Sequence, residues 1–252
     1  MRRLALGAFA CAALSAPAAA ERLTIAVSTP NVIITSNFVG TPITVFGVID
    51  QAPAGATPDQ YRVAVLVTGH DESIVARRKD RVLGVWVNDA AETIGSAPAF
   101  YALSTAGDVA GLASPGVLKR LEIGFDNIAL SFNGNAGEAA TGEFRDAYVR
   151  LKREAGLYGE QPNVDFLAGN LIFRSSAYIP ANIPVGRYQV LGYVFSGGDL
   201  VASAQDAIEV SKSGPEGLVS TFARSQSLAY GIICAGLALF VGWAGGVIFR
   251  RD

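Results

Sequence analysis

Alternation of apolar and polar residues dominates the chain from residue 22 onwards. Leu23, Ile25 and Val27 fall on one face of an extended segment, a period of two that is typical of a half-buried strand. Runs 43–49 and 62–68 are apolar on both faces, which suits central strands. Counting similar runs, the pattern predicts further strands at 32–35, 73–79, 82–88 and 99–104, and again at 171–179, from 186 and at 200–210.

The middle of the chain has a different period. Residues 115–121 and 143–157 read as helices, and the second carries an apolar stripe at spacings of four, three and four, formed by Phe144, Tyr148, Leu151 and Ala155. Residues 134–142 are predicted to be a loop, and Gly156 or Gly159 can end the second helix. The pattern therefore predicts a helical insertion at about 108–158 in a β domain.

One short motif narrows the fold class. Pro184, Gly186 and Tyr188 open the penultimate strand with the pattern of a tyrosine corner, in which the phenol bonds back across the corner of an immunoglobulin-like sandwich. Tyr188 as a plain core aromatic is the other interpretation, and it also fits a sandwich. We therefore expect a mainly β protein: an immunoglobulin-like antiparallel β-sandwich with a helical insertion, plus one C-terminal transmembrane helix.

Residues 228–249 form an apolar run without a charged side chain. At ~1.5 Å per residue a helix of this length reaches ~33 Å, enough to cross a ~30 Å hydrocarbon core. The three residues that follow, 250–252, include Arg250 and Arg251 and are expected to stay in the cytoplasm, in agreement with the positive-inside bias.

The other end of the chain predicts export. Arg2 and Arg3 precede a short apolar stretch, and Ala18 to Ala20 offer small side chains for cleavage, so residues 1–20 read as a signal peptide. An uncleaved anchor and a lipoprotein cleaved at Cys11 are the alternatives. Export places a periplasmic sandwich domain at 21–212, a juxtamembrane linker at 213–227 and the span in the inner membrane.

Charge and cysteine content limit the partners of the exported part. Cys11 and Cys234 lie in the predicted leader and span, so residues 21–227 hold no disulfide. The same residues contain 16 Lys and Arg against 21 Asp and Glu, a formal charge of −5. An acidic, evenly mixed chain of this kind does not suggest nucleic acid or an anionic lipid surface as a partner.

Several segments together resemble the alphaproteobacterial putative transmembrane protein family. They are 84–88 (GVWVN), 179–188 (IPANIPVGRY), 210–214 (VSKSG) and a span that begins near Tyr230-Gly231, contains Trp243 and ends in Phe249-Arg250-Arg251. The resemblance covers the whole mature chain. It implies a periplasmic domain on one span, without assigned catalytic residues, and an association with permeases of the TauE/SafE sulfite or organosulfonate exporter type.

The residues themselves give little support to an enzyme. His70 is the only histidine, and the exported part has no cysteine, so nitrogen- or thiolate-ligated metal sites lack partners, and only metal binding through oxygen ligands stays open. No serine stands in a Gly-x-Ser-x-Gly elbow, and residues 69–72 (GHDE) read as a polar hairpin loop. We therefore predict no catalytic residue, no metal and no cofactor.

One basic cluster has two interpretations. Arg77, Arg78, Lys79 and Arg81 could bind a sulfonate, a sulfite or a lipid phosphate if residues 73–79 form an edge strand, because Arg77 and Lys79 would then share a face. Protection of an exposed edge against aggregation is the favoured interpretation. Trp86, on the next strand, is expected to be buried in the core, and a ligand platform is the alternative.

The predicted span carries small residues every fourth position, at Ala238, Gly242 and Gly246, a ridge that allows close helix contact. The favoured function is a non-catalytic, membrane-anchored periplasmic module, accessory to an inner-membrane exporter, with the bilayer and a permease or a second copy as partners. The alternative is a periplasmic small-anion receptor or enzyme that uses the basic cluster at 77–81.

Overall fold

The structure, a computed structural model that describes residues 21–82, 84–133, 138–167, 169–212 and 222–248, contains thirteen strands, three helices of six residues or more and a short helical segment at 222–225. The strands are β1 (Arg22–Val27), β2 (Asn31–Ile34), β3 (Gly40–Asp50), β4 (Arg62–Thr68), β5 (Asp71–Val82), β6 (Val85–Pro98), β7 (Tyr101–Thr105), β8 (Ser131–Phe132), β9 (Tyr158–Gln161), β10 (Val164–Phe166), β11 (Ile172–Pro180), β12 (Gly186–Ser196) and β13 (Asp199–Lys212). The helices are α1 (Pro115–Arg120), α2 (Glu138–Glu154) and α3 (Ser227–Ile248). The predicted signal peptide at 1–20, residues 213–221 of the predicted linker and the tail at 250–252 lie outside the described residues.

Two sheets build a sandwich with immunoglobulin-like strand order. One sheet runs β1-β3-β11-β10 and the other β2-β13-β12-β4-β7-β9. In immunoglobulin nomenclature these are A-B-E-D and A′-G-F-C-C′, with β9 added beside C′. β2 pairs in parallel with β13, and β9 in parallel with β7, whereas the other neighbours in these two sheets are antiparallel. The mainly β, immunoglobulin-like prediction is confirmed.

The main core lies between the two sheets, because each sheet turns one apolar face inward. Its fully buried members come from both sheets and include Ile43, Val45, Phe173, Val190 and Val194. β3 buries only this face, since Phe46 on the other face is 43% exposed. The prediction that 43–49 is a central strand holds, but its second apolar face is not covered.

A second core covers the outer face of the six-stranded sheet. Leu66 and Leu103 project outward from that sheet and pack with Leu118 of α1, Tyr148 of α2 and Ile94 of β6. This third layer explains why β4 is buried on both faces, as the sequence predicted. All of the third layer comes from the two long insertions, 69–100 and 106–157, on either side of β7.

The tyrosine corner predicted from the sequence is present. Tyr188 is fully buried, and its hydroxyl donates a hydrogen bond to the carbonyl oxygen of Pro184. Its ring meets that of Phe100 edge to face, with 5.8 Å between centroids. The corner fixes the chain where it passes from one sheet to the other.

Helix α2 begins earlier than the sequence indicated. It starts at Glu138, so the loop predicted at 134–142 is wrong from 138 onwards, because Glu138, Ala139 and Ala140 favour helix once the following stripe is anchored on the second core. It ends at Glu154, and Gly156, one of the two glycines expected to end it, follows with φ +71°. The amide of Leu157 donates to the carbonyl oxygen of Lys152, and the amide of Gly156 donates to the carbonyl oxygen of Arg153. These are the two hydrogen bonds of a Schellman motif.

The segment between β4 and β7 differs most from the prediction. The strands expected at 73–79 and 82–88 are parts of one long hairpin, β5–β6, whose second strand continues to Pro98. Asp71 and Glu72 were expected in a loop but pair with Pro98 and Ala97. Sequence pattern missed this because the hairpin passes from a buried base to an exposed tip, so its alternation changes along its length.

Candidate functional site

The β5–β6 hairpin is exposed over much of its length. Its base is held in the second core by Ile94 and Ala97 of β6, and β8 pairs with β6 at Ile94 and Ser96. Beyond Arg77 and Ala91 every side chain whose position is described is exposed. β5 lies at the edge of the three-stranded sheet β5-β6-β8, as the edge interpretation required.

Cross-strand pairing determines the two faces of the hairpin tip. Arg81 pairs with Trp86 and Lys79 with Asn88, so these side chains share a face with Arg77. Val85 and Val87 lie on the opposite face. Trp86 is 67% and Val85 63% exposed, so the prediction of a buried core Trp86 is wrong. The physical reason is that no described layer covers the hairpin beyond its base.

The four predicted ligand-binding cations do not form a single cluster. Arg78 points to the opposite face from Arg77 and Lys79 and binds Glu143 of α2 at 3.0 Å. Arg81 Nε donates to the carbonyl oxygen of Gly84 at the turn, 3.4 Å away. Arg77 and Lys79 make no ion pair with any residue that the structure describes. The arrangement is a row of cations along a projecting ribbon, beside an exposed indole.

A partly buried polar cluster ties the base of the hairpin to α2. Lys152 donates to the Glu72 carboxylate of β5 and lies over the ring of Tyr148, 5.6 Å from its centroid. The Tyr158 hydroxyl donates to the carbonyl oxygen of Pro98 at 2.7 Å. Burial, together with the negative charge of Glu72, raises the pKa of Tyr148 to about 12. The cluster fixes the direction in which the hairpin leaves the body.

Two polar clefts are formed by other side chains. One, of about 500 Å³, is lined in part by Asp71, Ser96, Arg120 and Glu122. The Ser96 hydroxyl donates to Asp71 at 2.5 Å, and Glu122 has the uncommon φ of +55°. The sequence analysis assigned Asp71 to a polar loop and did not single out Ser96, Arg120 or Glu122, because these residues come from separate segments that share no motif.

His70 lines a different cleft, of about 540 Å³, together with Arg187 and Asp206. The Asp206 carboxylate is fixed there because it accepts hydrogen bonds from the backbone amides of Val27 and Ala207. The structure therefore does not place His70 in the cleft that holds Ser96 and Asp71. Neither cleft is lined by Arg77, Arg78, Lys79 or Arg81.

Helix α3 is the second exposed element. Residues Ser227–Gly246 have a mean hydropathy of 1.8, and the helix is long and apolar enough to cross a membrane. A Cβ added at Gly242 or Gly246 would meet no atom within 4 Å, so no other part of the described chain packs on this ridge. Cys234 lies in this helix as a free, exposed thiol.

One comparison with known proteins identifies the family. The family model described as "Putative transmembrane protein (Alph_Pro_TM)" matches residues 22–251. The chain therefore belongs to this family of transmembrane proteins. Among the residues that the structure describes, α3 is the one candidate span.

Similarity to solved structures is slight. The native conformation of Escherichia coli alpha-2-macroglobulin matches 76% of this chain and 10% of its own, at 14% identity and a TM-score of 0.25. The chain thus spans about a tenth of the length of that protein. No curated relative matches the chain.

Proposed function

We propose that the protein is a non-catalytic, membrane-anchored interaction module. A cleaved signal peptide and the α3 span hold the immunoglobulin-like domain in the periplasm, at the inner membrane. There it serves as an accessory subunit of a permease, in agreement with the sulfite or organosulfonate exporter association that the family resemblance implies.

The distribution of residue sizes around α3 carries this proposal. Ala238, Gly242 and Gly246 belong to a longer row of small residues that includes Gly231 and Ala235, at spacings of four, three, four and four. At 100° per residue these positions fall within one quarter of the helix circumference. Leu237, Phe240 and Trp243 project elsewhere and are exposed. A close-approach face on a helix without a described neighbour fits a second membrane helix.

Photo-crosslinking in native membranes tests this proposal. A photoreactive amino acid is placed at Ala238 on the small face and, as a matched control, at Phe240 on the bulky face. We expect position 238 alone to give an adduct whose added mass and peptides are those of a multi-span permease. An adduct with the mass of two copies would replace the permease by a homodimer, and equal yields from both positions would contradict a specific helix contact.

The orientation has its own test. A reporter that is active only in the periplasm is fused after Lys212 or after Asp252. We expect activity from the first fusion and none from the second. Activity at the C-terminus would contradict the proposed orientation while leaving the helix contact open to its own test.

A further inference from the structure

We propose that the tip of the β5–β6 hairpin docks on the anionic surface of the bilayer that α3 spans. In the docked state Trp86 lies at headgroup level, and Arg77, Lys79 and Arg81 contact lipid phosphates. The inference concerns a different element from the permease contact of α3 and holds whichever helix α3 meets.

The side chains at the tip match the chemistry of a membrane interface. Trp86 and the directly opposed Arg81 form one face, and Val85 and Val87 add apolar surface on the other. Tryptophan is enriched where a protein meets the headgroup layer, and long cationic side chains lay their stems on apolar surface while their charges reach phosphate. In water, the same exposed Trp and Val surface has no compensating contact.

Charge is separated between the hairpin tip and the rest of the domain. Residues 77–91 contain four Lys and Arg and two Asp and Glu, a formal charge of +2, whereas the remainder of 21–227 carries −7. Long-range electrostatics repel the acidic body from an anionic surface and attract the tip, so they favour an approach with the tip foremost. The overall charge of −5 is therefore compatible with a contact made through the tip.

The chain tethers the domain to the bilayer that α3 spans. Fourteen residues, 213–226, separate β13 from α3, and residues 222–225 among them are helical. At ~3.5 Å for each of the other ten and ~1.5 Å for each of these four, the segment reaches at most ~41 Å. Tethering converts docking into an intramolecular event, so a weak surface affinity is sufficient. A two-stranded ribbon leaves its outer backbone groups unpaired, which limits docking to the hydrated headgroup layer.

Trp86 provides its own probe, because Trp86 and Trp243 are the only tryptophans of the chain. The full-length Trp243→Phe protein is reconstituted in phosphatidylcholine vesicles with or without phosphatidylglycerol. Emission of Trp86, its quenching by iodide in the water phase and its quenching by lipids brominated near the headgroup are then measured. We expect a shift to shorter wavelength, protection from iodide and bromolipid quenching in the phosphatidylglycerol vesicles, all weakened by added salt.

Two charge variants identify the cause of docking. Replacing Arg77, Lys79 and Arg81 by Gln should lower the docking equilibrium on the order of a hundredfold, since each cation near an anionic surface contributes about fivefold. The matched control, Arg22→Gln/Lys119→Gln/Arg187→Gln, removes the same charge from other exposed positions and should dock like the parent. Far-UV circular dichroism verifies that both variants fold.

Three results would overturn the proposal. The first is equal iodide quenching with and without phosphatidylglycerol, together with no bromolipid quenching, which leaves the tip in water. The second is equal loss in both charge variants, which assigns docking to net charge alone. The third is shielding of Trp86 that depends on protein concentration in detergent without lipid, which assigns the tip to a contact with a second copy.

Discussion

The hydroxyl of Tyr188 donates a hydrogen bond to the carbonyl oxygen of Pro184, four residues earlier in the connection from β11 to β12. Tyr188 is fully buried and packs edge to face on Phe100, so a phenol in the core reaches the backbone at the domain surface. Burial raises the pKa of Tyr188, because the phenolate would lose its hydration there. The bond therefore closes the corner between the two sheets with a neutral donor.

Tyr188→Phe should lower the free energy of unfolding of the 21–212 domain by about 1 kcal/mol, since it removes one hydrogen bond and little volume. Tyr178→Phe is the matched control: its hydroxyl also donates to a backbone carbonyl, that of Val39 at 2.9 Å, but Tyr178 is 56% exposed. We expect its effect to stay below about 0.5 kcal/mol. Urea unfolding followed by circular dichroism measures both, and equal effects would deny the corner a special role.

The Glu72–Lys152 pair should stabilise the domain more than a surface pair. The Lys152 side chain is only 12% exposed, so Lys152→Met leaves the Glu72 carboxylate without its partner, at a cost of about 1–3 kcal/mol. Arg150→Met removes a pair on the same helix, with Glu154 at 3.9 Å, in which both side chains are largely exposed. That change should cost less than about 0.5 kcal/mol. A double-mutant cycle of Glu72→Gln and Lys152→Met without coupling would contradict a direct interaction.

Local motifs in the sequence predicted the sandwich well, because its features depend on neighbouring residues. The period-two pattern of β13, the turn at Gly197 and Gly198 and the tyrosine corner are each complete within about ten residues. The C-terminal span is read from a single uninterrupted run. For such elements, local pattern and tertiary structure agree.

The hairpin could not be predicted in the same way, because burial is decided by distant parts of the chain. Trp86 has the large apolar side chain that is typical of a core residue. It is exposed because α2 and the 112–132 segment cover the base of the hairpin and stop short of its tip. Likewise, Arg78 differs from its neighbours only through Glu143, 65 positions away. The local pattern of residues 77–88 indicates neither the exposure of Trp86 nor the contact between Arg78 and Glu143.

Alkaline pH should destabilise the domain in a defined window. The pKa of Tyr148 is about 12 in the folded protein and 10.0 in the absence of burial, so the folded state retains the proton more strongly. A raised pKa contributes stability that is complete below pH 10 and is lost as the pH rises from 10 to 12. Urea unfolding at pH 9, 10, 11 and 12 should show this decline, with a smaller decline in Tyr148→Phe. An unchanged slope in that variant would assign the effect to other phenols.

Gly47 should tolerate no side chain, because the ring of Phe173 occupies the place of its missing Cβ. A Cβ built at Gly47 lies 2.1 Å from Phe173 Cζ, and Gly47 and Phe173 are cross-strand partners in β3 and β11. Phe173 is fully buried and cannot move away without disturbing the main core. We therefore expect Gly47→Ala to lower the free energy of unfolding by about 1–3 kcal/mol through overpacking.

The control and the rescue separate overpacking from a general effect of alanine in a strand. Gly159→Ala also adds a methyl group in a strand, β9, but its Cβ would meet nothing within 4 Å, so we expect little change. Phe173→Leu removes the ring carbons that block the Cβ and costs stability on its own by leaving a cavity. In Gly47→Ala/Phe173→Leu the new methyl group fills part of that cavity, so the double variant should lose less stability than the sum of the two single losses. Strict additivity in urea unfolding would mean that the Phe173 ring is not what restricts position 47.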